Sequence, residues 1–246
     1  MSSFIKILNI LWILVLSSFA ACDFESGTGK KAVVDDSIDI NPISETPQDS
    51  ITDEEYFTSE NFDILVKKYE DPGRVNWQNP ELVLEKLGDL DGMVVADIGA
   101  GTGYFTFRMA RTADKVIAID IDQRFLDYID ERKREFPDGG LDNVVTRLTE
   151  ESSPNLKPNE TDVVLMVNTY HFIENRIDYF EKVKNGLAPG GRLIVVDFKE
   201  GKIPVGPPDD IKVSPEVVFS ELEDAGFQEF QIDQKSLEYQ YIIIAK

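Results

Sequence analysis

The sequence predicts an α/β fold, a doubly wound sheet of seven strands that is mostly parallel and ends in an antiparallel hairpin. Three observations carry this reading. Apolar runs of strand length alternate with amphipathic helical stretches from about residue 80 to residue 198, the pattern of parallel βαβ units covered on both faces. A glycine-rich segment, Asp97-Ile98-Gly99-Ala100-Gly101-Thr102-Gly103, closes the first run and opens a helix. That is where doubly wound sheets bind ligands. The last two strand-like segments, FQEFQID and LEYQYIIIAK, lie too close for a parallel crossover of about a dozen residues, so they must pair antiparallel.

Asn79-Pro80 opens the first helix, ELVLEKLG: Asn79 can cap, Pro80 suits the first turn, Val83, Leu84 and Leu87 share a face, and Gly88 can end it. MVVADIG follows as a buried strand bounded by glycines, YFTFRMA as a helix and KVIAID as the second strand. QRFLDYIDERKREF is helical, with Phe125, Leu126, Ile129 and Phe136 on its apolar side. NVVTRL, DVVLMV and RLIVVDF read as strands. Between the last two a helix is expected about Ile177, Phe180, Val183 and Leu187, ended by Pro189-Gly190-Gly191. A helix near Pro215–Ala225 precedes the hairpin, and Gly201–Ser214, with three prolines, reads as a lid.

The chain divides as residues 1–21 signal peptide, 22–56 acidic disordered tether and 57–246 folded domain. Lys6 precedes an apolar run from Ile7 to Leu16 of signal-peptide length. Phe19-Ala20-Ala21-Cys22 resembles a bacterial lipobox, with Phe19 where an aliphatic residue is usual, which makes Cys22 the candidate lipidation site. From Asp23 to Glu60 there are eleven acids against Lys30 and Lys31, too polar a stretch to order itself. Basic flanks stay inside, so Lys6 before the run and acids after it favour export to the cell envelope. The alternative is an uncleaved leader holding the domain on the cytoplasmic face.

The formal charge of −21 repels phosphate backbones and argues against a nucleic-acid partner. With one cysteine and one histidine there is neither a disulfide framework nor a Cys/His zinc site, so no metal is expected. The glycine segment is not the dinucleotide fingerprint, because Tyr104 occupies the position of the small third residue. An acid before the glycines also suits pyrophosphate poorly.

VVADIGAGTGYFTFRMA resembles motif I of class I S-adenosylmethionine-dependent methyltransferases. The likeness runs through Asp120 at the end of the second strand, the NTYH segment after the fourth and LAPGGRLIVVDF at the fifth. Arg74-Val75-Asn76-Trp77-Gln78 upstream is similar to small-molecule members. The resemblance implies a Rossmann-like sheet and S-adenosyl-L-methionine as cofactor. It sets Gly99, Gly101 and Gly103 against the methionine moiety, Asp97 at its ammonium and Asp120 at the ribose diol, to which a carboxylate offers two acceptor oxygens. It also implies that Ile121 packs on adenine, that Glu150 and Glu151 reach its rim, and that Asn168 lines the cofactor site.

The same residues have plainer readings: tight packing for the glycines, a solvated strand end for Asp120, loop charges for Glu150 and Glu151, and core or rim aromatics for Trp77 and Tyr104. His171, the only histidine, falls just past the fourth strand. It can serve as a base to a nucleophile that must lose a proton, or it can orient a loop. Tyr170 beside it can position substrate. Asn168 lacks the following prolines of the Asn-Pro-Pro-Tyr signature, which with the charge points to a small-molecule acceptor. A lipid-anchored binding protein that keeps the fold without turnover is the alternative.

Overall fold

The computed structural model describes residues 61–135 and 139–246. The leader, Cys22, the tether and Phe136 lie outside the described residues. Seven strands form one sheet: β1 (Val94–Ile98), β2 (Lys115–Asp120), β3 (Val144–Leu148), β4 (Thr161–Val167), β5 (Leu187–Phe198), β6 (Phe230–Asp233) and β7 (Gln240–Ala245). Their order is β3-β2-β1-β4-β5-β7-β6. β1 to β5 pair parallel, while β7 pairs antiparallel with both β5 and β6. The chain winds outward from β1 to β3 and then returns to place β4 on the other side of β1. The strand order therefore reverses between β1 and β4, where the crevice of an open α/β sheet lies.

The helices are α1 (Phe62–Tyr69), α2 (Arg74–Gln78), α3 (Pro80–Leu87), α4 (Thr106–Met109), α5 (Gln123–Glu135), α6 (Arg176–Gly186) and α7 (Pro215–Asp224). Two core clusters form. One joins Phe180 and Val183 of α6 and Val218 and Leu222 of α7 to Val164, Met166, Val195 and Tyr241. The other joins Val83 and Leu87 of α3, Met109 of α4 and Ile129 of α5 to Val95, Leu165 and Val196. Alternate residues of β4 and β5 thus feed opposite layers, which explains why those strands are apolar without a break.

α3 follows the sequence closely: Asn79 accepts from the Leu82 amide, Pro80 sits in the first turn and Gly88 closes the helix at φ 78°. Several features differ from expectation or were not expected. YFTFRMA is helical only over Thr106–Met109, because the positive-φ backbone at Gly99, Gly101 and Gly103 holds the preceding residues in turns. α6 ends at Gly186, and Leu187 is already the first residue of β5. Pro189-Gly190-Gly191 instead belongs to an excursion inside β5, since Leu187 lies opposite Thr161 and Arg192 opposite Val163. Ile177 is exposed, and the buried side of α6 is Tyr179, Phe180 and Val183. α1 had no clear sequence signal because none of its residues is buried; it attaches through Phe62 and Tyr69, whose rings lie 5.0 and 5.5 Å from that of Phe125. The Gly201–Ser214 segment folds on itself, with Asp209 accepting from the Gly201 amide at 2.5 Å and Lys212 donating to the Gly201 carbonyl at 2.8 Å.

Candidate active site

At the carboxyl end of β1 the Gly99 and Ala100 amides both donate to the Ile119 carbonyl, at 2.9 and 3.0 Å. This turns the chain sharply off the sheet. Gly99 has φ 74°, and a Cβ there would overlap the Thr169 hydroxyl. Glycine is required at this point on both counts. Gly101, at φ 53°, lies under the ring of Tyr69 from α1, and its amide donates to Asp120 Oδ2 at 2.8 Å.

Two buried carboxylates flank the loop. Asp97 is 3% exposed and accepts from the Thr106 hydroxyl at 2.6 Å. Burial pushes its pKa up to about 6; the Thr106 bond opposes this and the nearby Asp120 charge adds to it. Asp120, also buried, accepts the Gly101 amide on one oxygen and the Asp122 amide on the other at 3.0 Å, and burial raises its pKa as well. Ile121, the next residue, is an exposed apolar side chain at 55%. Neither carboxylate has an ion-pair partner among the described residues.

Asp97 carries a testable penalty. Its carboxyl prefers the proton in the fold, so between its unfolded value near 4 and about 6 the native state binds the more protons. Its contribution to stability is therefore largest at acid pH and falls as pH rises through that window. Asp97→Asn should raise stability by about 1–3 kcal/mol at pH 7.5, since about two pKa units correspond to that order of energy. The gain should shrink toward pH 4, as read by urea unfolding at the two pH values.

The remaining candidates divide into three groups. Glu150 and Glu151 are exposed on a loop fastened to Asp120 through the Thr149 amide, at 3.0 Å to its carbonyl. Asn168, at φ 57°, belongs to a polar chain. Its Oδ1 accepts from Gln240 at 2.5 Å, Gln240 Oε1 accepts from Gln78 at 3.0 Å, and Gln78 Oε1 accepts from Arg74 at 2.7 Å. His171 is buried, with Nδ1 lying 2.9 and 3.1 Å from the two Asp197 oxygens, while Nε2 is buried and has no partner among the described residues. Beside it an open groove of about 630 Å³ is lined by Phe172, Ile173, Arg176, Ile177, Ile211 and Glu221, among others.

Tyr170, expected from the sequence to position substrate, lies in the core, while its hydrogen-bond partner Glu221 lines that groove. Its ring is wholly buried, stacked 4.9 Å from Phe180, and its hydroxyl donates to Glu221 at 2.7 Å. The short 3₁₀ turn at Tyr170–Phe172 sends its neighbour His171 to Asp197 and Tyr170 into the core. Tyr104 is likewise buried, and the Trp77 ring lies 5.8 Å from that of Phe198. Sequence reasoning missed Tyr69, Thr106, Thr169, Asp197 and Gln240. Asp197 had a usable signal, an acid ending an apolar strand as Asp97 does; Tyr69, Thr169 and Gln240 announce themselves only through contacts with distant segments, and Thr106 only once the glycine turn brings it back to Asp97. Among the described residues no cluster of His, Cys, Asp and Glu could hold a metal ion.

A profile of the methyltransferase domain family matches residues 96–193. The chain is 35% identical over 121 residues to a demethylmenaquinone methyltransferase of Tropheryma whipplei, covering 49% of this chain and 48% of that protein. It is 34% identical over 124 residues to a tRNA U34 carboxymethyltransferase of Colwellia psychrerythraea, covering 48% of this chain and 37% of that one. The chain thus spans about half or less of these curated relatives. The crystal structure of a SAM-dependent methyltransferase from Aquifex aeolicus superposes with a TM-score of 0.67 at 30% identity, covering 73% of this chain and 95% of that one. With that coverage, the motif at Asp97–Gly103 and the strand order described above, the chain belongs to the class I S-adenosylmethionine-dependent methyltransferases.

Proposed function

We propose that this protein transfers a methyl group to a small-molecule acceptor that must lose a proton, and does so while tethered to a membrane of the cell envelope through Cys22. The observation that carries the chemical part is the His171–Asp197 pair. With Asp197 accepting a hydrogen bond from Nδ1–H, the Nε2 lone pair is left buried and, among the described residues, unpartnered. A histidine that served only to orient its loop would leave that nitrogen at a desolvation cost with no return. As a base, it receives the acceptor's proton there, while Asp197 fixes the tautomer and steadies the imidazolium.

The residues present suit the family's cofactor. Two buried carboxylates that make no ion pair among the described residues answer an ammonium and a ribose diol, and the exposed Ile121 next to Asp120 answers an apolar ring. When bound, the cofactor supplies an activated methyl on a sulfonium. What the chain contributes is alignment and water exclusion: the glycine turn fixes the backbone, Asp97 and Asp120 fix two polar ends, and Tyr69 closes over Gly101. Glu150 and Glu151 stand at the rim, and Asn168 acts through Gln240 and Gln78 to hold α2 in place.

The relatives named above include a quinone-directed and a tRNA-directed enzyme. A net charge of −21 supports the small-molecule side. Methyl-labelled adenosylmethionine, incubated with the full-length chain and a lysate separated into small molecules, protein and RNA, should place label in the small-molecule fraction. Label in RNA would overturn the acceptor class. For the tether, labelled fatty acid should enter the wild type and not Cys22→Ser. Equal labelling of the two, or none in either, would return the leader to its uncleaved alternative.

A further inference from the structure

We infer that the groove beside His171 is the site of the methyl acceptor, and that the acceptor is an amine, a cationic nitrogen carried on an apolar body. The inference rests on the methyl transfer proposed above and adds to it the acceptor's chemical class. The groove's volume, about 630 Å³, falls within the range of small-molecule sites, about 300–1,000 Å³. It starts beside the glycine turn: Gly99 packs so closely on Thr169 that a Cβ there would overlap it, and His171 follows two residues later. Its walls are apolar. Phe172 is 47% exposed and Ile177 38%, and Ile173 and Ile211 continue the same lining. Ile177 lies on α6 away from the side that packs into the core, which is Tyr179, Phe180 and Val183. Large apolar side chains exposed along one cleft form a surface that an apolar ligand covers favourably.

The charges of the lining decide which head group that ligand carries. Three carboxylates, Glu174, Asp178 and Glu221, stand against one guanidinium, that of Arg176. Arg176 is already engaged: its Nε donates to Glu221 at 2.7 Å and its Nη1 to the Ile173 carbonyl at 3.3 Å. An anionic head group would therefore meet repulsion, while Glu174 and Asp178, both exposed, make no ion pair among the described residues. Both acids also suit the N-terminal end of α6, so ligand binding, and not stability, is the readout that separates the two roles. An ammonium is favoured by the acids and by the exposed Phe172 ring, whose centroid lies 4.1 Å from that of His171. His171 meets the second requirement of an amine, because its buried Nε2 has no partner among the described residues. In the step, the ammonium passes one proton to Nε2, and the freed lone pair on nitrogen forms the new N–C bond to the methyl group. The S–C bond of the sulfonium breaks with its electron pair left on sulfur, and the product is a methylated ammonium. The Asp197 carboxylate beside Nδ1 offsets the charge that His171 gains.

The test is a ligand-observed NMR titration of the full-length chain, with adenosylhomocysteine present, using phenethylamine, phenethyl alcohol and phenylacetate, which share one apolar body. The amine should bind about 3–30-fold more tightly than the alcohol, and the acid should not bind. Glu174→Gln combined with Asp178→Asn should weaken the amine about 2–10-fold and leave the alcohol unchanged. Asp127→Asn combined with Glu131→Gln removes the same charge from α5, on the opposite face of the sheet, and should leave both ligands unchanged. Ile177→Ser should weaken amine and alcohol alike. Equal losses in the two acid pairs would reduce the effect to the protein's overall field and overturn the groove as the site, as would unchanged affinities in Ile177→Ser. Binding of the acid as tight as that of the amine would overturn the amine class, an outcome that needs no variant to fold. In the lysate experiment above, label on nitrogen supports the inference. Label on an oxygen or carbon of a small molecule would overturn the amine and leave methyl transfer standing, whereas no label in any fraction would remove the transfer on which the inference rests.

Discussion

His171→Ala is expected to lower turnover by about 10²–10⁴ while leaving adenosylmethionine affinity within about twofold of wild type. The split follows from geometry. His171 borders the groove beside β4, while the proposed cofactor groups cluster at Gly99–Gly103 and Asp120, so removing the imidazole should leave those groups in place. Added imidazole should restore part of the rate, because the base is then supplied from solution to the vacated space. Asp197→Asn should lower turnover as well, since the amide can donate to Nδ1 and so turn the Nε2 position into a donor. The measurement is steady-state turnover on the acceptor found by labelling, together with calorimetry for the cofactor. A loss of only a few-fold would leave His171 a loop residue, whatever the Asp197 variant does.

Gly99→Ala is expected to destabilise the fold by about 2–4 kcal/mol, combining a left-handed backbone for a residue with a Cβ and an overpacked contact. The overlap is with the hydroxyl and methyl of Thr169, whose own hydroxyl donates to the Val167 carbonyl at 3.1 Å. Thr169→Ala in the same chain should recover the packing share and leave the backbone share, so the two substitutions should couple by about 1–3 kcal/mol in urea unfolding. Strict additivity would mean that the loop has moved away from Thr169 and that the turn is less tightly fixed than described.

The sequence made the sheet legible because β1, β2, β4 and the end of β5 are buried on both faces and so appear as apolar runs, while the helices between show period and caps. Asn79-Pro80 and Gly88 mark α3 without help from the rest of the fold. The residues proposed to hold the cofactor stand out in the sequence because Asp97, the three glycines and Asp120 are local features of strand ends. What sequence did not show depends on contacts between distant segments. Tyr170 and His171 are neighbours with opposite fates, and nothing local says which one the 3₁₀ turn sends to the core. Pro189-Gly190-Gly191 carries the composition of a helix stop, yet the sheet pulls Leu187 into pairing with Thr161 before those residues are reached. Gln78, Gln240 and Asn168 form one polar chain across 162 and 72 residues of separation.

The central claim is that Asp97, the glycine turn and Asp120 together hold adenosylmethionine. Calorimetric titration of the full-length chain, wild type beside Asp120→Ala, tests it most directly. The account predicts one site in the wild type and a loss of about 1.5–3 kcal/mol in the variant, the range for hydrogen bonds to a charged group. Unchanged affinity in Asp120→Ala, or no binding by a folded wild type, would contradict it.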